Sequence, residues 1–203
     1  METFSLFPVA VCSNNLNRTF TKQELKFVKK TETECMPNAG NTTSKNTYIL
    51  EEKVFKNLKI EIQKYINEYI EKIICPDKKI EYYITQSWLN YTKPNQYHQQ
   101  HNHANSILSG VLYFNADEKF DMIKFSKNIN YQMMISTKNF NVYNAETWFI
   151  RIKTGQLVIF PSYLQHLVPI KEGTNLRISL SFNTFVRGTL GNTNQLTELK
   201  LNV

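Results

Sequence analysis

Cysteine is scarce in this 203-residue chain: Cys12, Cys35 and Cys75 lie far apart, an odd number with no paired spacing. Such a set argues against a disulfide framework and against a cysteine-based zinc site. It fits a reducing compartment, so the cytoplasm of a bacterium or of an infected host cell is the expected location. No run of about 18 apolar residues occurs, so no membrane-spanning helix is expected. The opening residues Met1-Glu2-Thr3-Phe4 carry an acid and no basic stretch, which does not read as a signal peptide. Arginine is also scarce. Of 24 basic residues only Arg18, Arg151, Arg177 and Arg187 are arginine. The net charge of +7 therefore rests on dispersed lysine. That balance tolerates acidic partners, but without a clustered basic stripe it argues against direct nucleic-acid binding.

What is present is a globular composition. Hydrophobic residues at 41% and aromatics at 13% exclude a disordered or low-complexity chain. At this length a folded chain buries roughly 70% of its unfolded surface, enough for one domain without staples. Apolar residues Phe4, Leu6, Val9 and Val11 read as a first strand over 4–12. Thr21-Lys22-Gln23-Glu24 is a capping box, stapled by Phe20 and Leu25, and opens a helix to about Lys30. Residues 31–47 read as a polar loop. Leu50, Val54, Phe55, Leu58, Ile62, Tyr65, Ile66, Tyr69, Ile70, Ile73 and Ile74 recur in steps of three and four and predict one long amphipathic helix over 49–74, ended by Pro76.

Beyond residue 79 the period changes to two. Strands are expected at 79–90, 107–115, 122–126, 148–152, 156–161, 166–170 and 176–185, with turns at 115–117, 154–155 and 172–174. Short strands following helices, rather than alternating with them, predict a mainly β sandwich or barrel with flanking helices. The chain divides into a helical support region (1–78), a β core (79–186) and a polar tail (187–203), within a single domain.

Histidine occurs only at 98, 101, 103 and 166, and three of the four sit within six residues. On an extended segment His101 and His103 project together, with His98 opposite. Such a pair can share one metal ion, and His166 is the remaining histidine that could complete the set; solvated loop histidines are the competing reading. Eleven residues after His166 comes Arg177, with Ser179 on the same face of a strand. A guanidinium fork with a neighbouring hydroxyl suits a carboxylate, and a surface ion pair is the alternative.

Three blocks then carry a resemblance: His101-Asn102-His103-Ala104-Asn105-Ser106 leading into Leu108-Ser109-Gly110-Val111-Leu112-Tyr113-Phe114, Gly155 through His166, and Arg177-Ile178-Ser179-Leu180-Ser181-Phe182-Asn183. In this order they resemble the 2-oxoglutarate and Fe(II)-dependent oxygenases, in the branch related to prolyl hydroxylases and common in marine bacteria and phages. The resemblance spans 88–183. It implies a double-stranded β-helix (a cupin-like jelly roll) with an N-terminal strand and two helices on its major sheet. His101, His103 and His166 would hold Fe(II), and Arg177 and Ser179 would bind the far carboxylate of 2-oxoglutarate. Tyr113 would either touch that carboxylate or fill the barrel.

His103 stands where most of these oxygenases carry Asp or Glu, and no acid occurs between Glu81 and Asp117. Three imidazoles leave the full charge on the metal, which a dianionic co-substrate then balances. Alternatively His103 lies beside the metal without binding it. The resemblance implies hydroxylation of a C–H bond with O2, releasing succinate and CO2. It favours a protein or peptide side chain over a small molecule as substrate, recognised by the segments 31–47 and 127–147. Two rivals keep the fold: a cupin-like tris-histidine metalloprotein with non-oxidative chemistry, and a non-catalytic jelly-roll binding protein.

Overall fold

The computed structural model describes residues 1–16, 18–77, 80–127 and 135–201. Lys79, expected to open a strand, and residues 128–134 of the expected recognition loop lie outside them, as do the last two residues of the tail. Two antiparallel sheets face each other. The elements are β1 (Cys12–Asn15), α1 (Lys22–Glu32), β2 (Cys35–Asn38), β3 (Asn41–Ser44), α2 (Lys56–Tyr69), β4 (Glu81–Thr92), β5 (His98–His101), β6 (Leu108–Asn115), β7 (Met122–Ser126), β8 (Thr147–Arg151), β9 (Gln156–Pro161), β10 (Gln165–Val168), β11 (Arg177–Leu190) and β12 (Leu199–Leu201). The major sheet runs β1-β9-β6-β11-β4-β3-β2, with β12 on β11; the minor sheet runs β5-β10-β7-β8. This is the mainly β jelly roll with flanking helices expected from the sequence. Among the described residues no helix is long and apolar enough to cross a membrane.

Strand alternation divides the interior in two. In β6, Leu108, Leu112 and Phe114 join the core under the helices, together with Leu157 and Ile159 of β9 and Leu180 and Phe182 of β11. The intervening Val111, Tyr113, Val158 and Phe160 point between the sheets, where they meet Ile123 and Phe125 of β7. Val28 of α1 and Leu58, Ile62, Ile66 and Tyr69 of α2 close the helical side. Strand β4 serves both halves by changing parity. Tyr82 and Ile84 face the helices, then Leu89 and Tyr91 do. The register slips between Phe182 and Thr184, opposite Ser87 and Ile84. The extra residue is a β-bulge. Past it, the even-numbered Trp88 and Asn90 turn toward the space between the sheets.

The close fit leaves Gly110 no room for a side chain: a Cβ would lie 2.2 Å from the ring of its cross-strand partner Phe182, which is fully buried. Gly110→Ala should therefore destabilise by about 1–3 kcal/mol, the usual cost of overpacking. Urea unfolding checks this, with partial recovery expected on adding Phe182→Leu.

Several local expectations are corrected. The first strand is Cys12–Asn15 rather than 4–12, and Phe4, Leu6 and Phe7 are exposed. The capping box forms at Thr21 and Glu24, and α1 extends to Glu32. The staple does not form: Phe20 rests on Phe114, with ring centroids 4.3 Å apart, while Leu25 is exposed. The polar loop at 31–47 contains the β2–β3 hairpin, with its turn at 38–41. The long helix at 49–74 is interrupted. Tight 3-10 turns occupy Ile49–Glu51 and Lys53–Phe55 around an extended Glu52. Then follow α2 and a π-turn over Ile70–Ile74, closed by Cys75 in the left-handed region. In the expected polar tail, β11 continues to Leu190 and pairs with β12.

Candidate active site

The minor sheet brings the histidines together. β10 pairs with β5 so that His166 lies opposite His101 and Val168 opposite His98, with an irregularity between the two pairs. His103 follows β5, where its backbone N–H donates to the Ser162 carbonyl (3.0 Å). The ligating atoms of His101, His103 and His166 all lie within 4.8 Å of one another, a grouping able to hold a metal ion. Ring centroids are 4.3 Å apart for His101 and His166, and 5.1 Å apart from His103 to each.

Two backbone bonds fix the ring faces. Nδ1 of His101 is 2.8 Å from the Gln99 carbonyl, and Nδ1 of His166 is 3.0 Å from that of Leu164. A carbonyl only accepts, so both Nδ1 atoms carry the proton and both Nε2 atoms keep a free lone pair, the state a metal requires.

Burial keeps His103 and His166 neutral. It pushes the His103 pKa down to about 3 and that of His166 to about 4, with the neighbouring histidines adding to it. An unfolded histidine takes its proton near 6.5. Below that pH the unfolded chain binds protons that the folded chain refuses, so the stabilisation is complete above about 6.5 and drains away as pH falls toward 4. Metal-free protein should accordingly melt at a lower temperature at pH 5 than at pH 7, and a His103→Asn variant should show a smaller drop.

The sequence places His98 on the opposite face; the structure does not. Its ring stacks on His101 at 4.4 Å and lines the same cavity. Burial pushes its pKa to about 4, with charge repulsion from His101, His166 and Arg177 adding to the effect. The slip in β5 breaks the strict alternation on which the sequence reading relied.

Arg177, Ser179 and Tyr113 line this cavity as well. Ser179 lies beside Tyr113 in register. Arg177 is only 3% exposed. Its Nη2 donates to Thr92 Oγ1 (2.9 Å), and its Nε is buried without a partner. Burial pulls the guanidinium pKa down, while Tyr113 and Asp121 oppose this. Burial also pushes the Tyr113 phenol pKa up. A buried guanidinium with an unused donor is costly unless an anion completes it. Asn41 and Asn90, which also line the cavity, each leave a buried Oδ1 unpaired. Trp88 and Asn90 went unnoticed in the sequence, although their alternation along an expected strand was a usable signal; Thr92, beyond that strand's expected end, carried no such signal. Asn41 gave none. The cavity is narrow, about 30 Å³, the room of roughly one water molecule.

Residues 86–183, or 98 of the 203, match a family model described as "Putative 2OG-Fe(II) oxygenase". No curated protein sequence matches. Among solved structures, the chain is similar to a Pseudomonas putida prolyl-4-hydroxylase at TM-score 0.56 and 11% identity, covering 86% of this chain and 92% of that one. It is similar to a Trichoplax adhaerens prolyl hydroxylase in complex with a hypoxia inducible factor peptide fragment at TM-score 0.57 and 13% identity, covering 86% and 83%. HygX from Streptomyces hygroscopicus, with nickel, 2-oxoglutarate and hygromycin B bound, gives TM-score 0.57 at 7% identity, covering 87% and 82%. At such identities the structural likeness concerns the fold, and the sequence match concerns residues 86–183. Over residues 86–183 the chain is similar to the 2OG-Fe(II) oxygenases in sequence, and it shares the fold of solved members of that group.

Proposed function

We propose that this chain is an Fe(II)- and 2-oxoglutarate-dependent dioxygenase that hydroxylates a C–H bond of a protein or peptide side chain. One observation carries the reading: three converging imidazoles share a cavity with a buried arginine that still has a donor to give. When bound, Fe(II) and 2-oxoglutarate supply the oxidative chemistry, in which O2 converts the co-substrate to succinate and CO2 and oxidises a C–H bond.

The chain's own part is to bind, orient and exclude water. His101, His103 and His166 are the metal ligands, with the Gln99 and Leu164 carbonyls holding two of the rings in the ligating tautomer. Arg177 and Ser179 hold the far carboxylate, using the guanidinium edge that Thr92 leaves free. Tyr113, buried beside them, borders the same carboxylate. With no acid in the donor set, the negative charge that balances the metal comes from the co-substrate. The narrow cavity means that a five-carbon dicarboxylate enters only with side-chain movement, and the His98 ring stacked on His101 is placed to yield.

Anaerobic Fe(II) titration tests the ligand set. One ion per chain is expected, with affinity reduced about 100-fold or more in His166→Ala and His101→Ala. That is beyond the 10–100-fold usual for groups that merely support a ligand. Unchanged affinity in both variants would overturn the assignment. Loss in His101→Ala and His166→Ala but not in His103→Ala would return His103 to a place beside the metal.

The all-imidazole donor set also suits zinc in a non-oxidative site. That second reading predicts metal binding indifferent to 2-oxoglutarate, and it gives Arg177 no task.

A further inference from the structure

A second cavity also has His103 in its wall. It measures about 470 Å³ and is lined by Tyr69, Ile74, His103, Ile107, Pro161 and Tyr163, among others. Such a volume is within the usual range for a ligand pocket of about 300–1,000 Å³. His103 is common to this groove and to the narrow cavity holding Arg177.

Its chemistry is unlike that of the surface around it. The chain carries 24 basic and 17 acidic residues, yet among the described residues no Lys, Arg, Asp or Glu lines this groove. Tyr163, 66% exposed, and Ile74, 39% exposed, instead hold apolar surface open to solvent beside it.

The walls are built in advance. Tyr69 Oη donates to the Ala10 carbonyl (3.0 Å). Ser162 Oγ bonds Ser106 Oγ (2.7 Å) and Ser109 Oγ (2.8 Å), which ties the 161–163 turn to the start of β6 and the segment before it. Ser162 also takes the His103 N–H on its carbonyl. A groove with hydrogen-bonded walls that includes a candidate metal ligand in its lining can hold a reacting group in a set orientation.

We infer that this groove seats an uncharged, apolar side chain or ring of the primary substrate, with Tyr163 and Ile74 setting that specificity. The inference rests on the oxygenase reading, because only then does a group beside His103 lie next to the reacting centre. An acidic or basic side chain entering the groove would lose water and meet no counter-charge.

The test uses Fe(II)-loaded protein kept anaerobic, with and without 2-oxoglutarate. The probes are blocked tripeptides, acetyl-Gly-X-Gly-amide, with leucine, proline, glutamate or lysine at X, and binding is read by ligand-observed NMR. Leucine or proline peptides should bind at least about tenfold more tightly than the glutamate and lysine peptides, a difference of about 1.4 kcal/mol. Tyr163→Glu and Ile74→Glu should each erase that preference. Ile60→Glu, on the outer face of α2 and 60% exposed, should leave it intact, and circular dichroism checks that each variant is folded.

The proposal is overturned if charged peptides bind as well as neutral ones, if neutral peptides do not bind up to their solubility limit, or if neither groove variant changes the preference. Failure of the oxygenase reading shows separately, as wild-type protein that binds no 2-oxoglutarate in the same tubes.

Discussion

Arg177→Ala should abolish tight binding of 2-oxoglutarate to the Fe(II)-loaded protein while leaving Fe(II) binding in place. The arginine is 3% exposed and donates to one neutral partner, Thr92, while its buried Nε has no partner among the described residues and is free for an incoming anion. Truncating one member of a buried, hydrogen-bonded charge pair costs about 2–5 kcal/mol, or roughly 30-fold to several thousand-fold in affinity. Arg177→Lys should recover only part of this, because an ammonium cannot fork onto two carboxylate oxygens. Ser179→Ala should cost less, about the 1 kcal/mol of a single hydrogen bond. Calorimetry under anaerobic conditions separates the three variants. Equal affinities would remove Arg177 from the co-substrate site.

A comparably large effect is expected on stability, and it comes from a pair that nothing in the sequence marked. Lys171 Nζ meets Asp121 Oδ1 at 2.9 Å with both side chains essentially inaccessible, 0% and 1% exposed. Asn175 completes the cluster: its Oδ1 accepts from Lys171 (2.7 Å) and its Nδ2 donates to Asp121 (3.2 Å). Asp121→Ala leaves the lysine charge buried alone, which typically costs about 3–5 kcal/mol. Replacing both partners, Asp121→Ala with Lys171→Met, removes the orphan charge and should be less damaging than Asp121→Ala alone. Urea unfolding of the three variants reads the difference.

The pair also bears on the site. The Lys171 backbone exchanges hydrogen bonds with Asn95 and Gln96, in the turn that leads into β5 and its histidines. Loosening it should therefore weaken metal binding in Asp121→Ala even where the variant remains folded.

How much of this was legible in the sequence depended on whether burial wrote a period into it. β6, β7, β9 and β11 pack apolar side chains on at least one face, and the alternation of Val111, Tyr113, Val158 and Phe160 against Leu112, Leu157 and Ile159 exposed them. The β2–β3 hairpin left no such trace. Asn41, Thr43 and Ser44 are buried through hydrogen bonds to Thr92 and to the Leu89 backbone rather than through apolar contact, so their composition reads as loop. The break at Glu52 was hidden because apolar spacing continues across it while the backbone does not. Within the cavity, His101, His103, His166, Arg177 and Ser179 were singled out by residue type and spacing, and the structure brings them together. His98 was misplaced by one irregularity in β5, which parity cannot foresee. Thr92 and Asn41 became visible only once β3, β4 and β11 were paired.

The central claim is that three histidines and one buried arginine make a single oxidative centre. It is tested most directly by loading wild-type protein with Fe(II) and 2-oxoglutarate without oxygen, then admitting air and measuring succinate. The account predicts 2-oxoglutarate binding before air, succinate only after it, and neither in Arg177→Ala. Metal bound tightly with no affinity for 2-oxoglutarate and no succinate in air would contradict it.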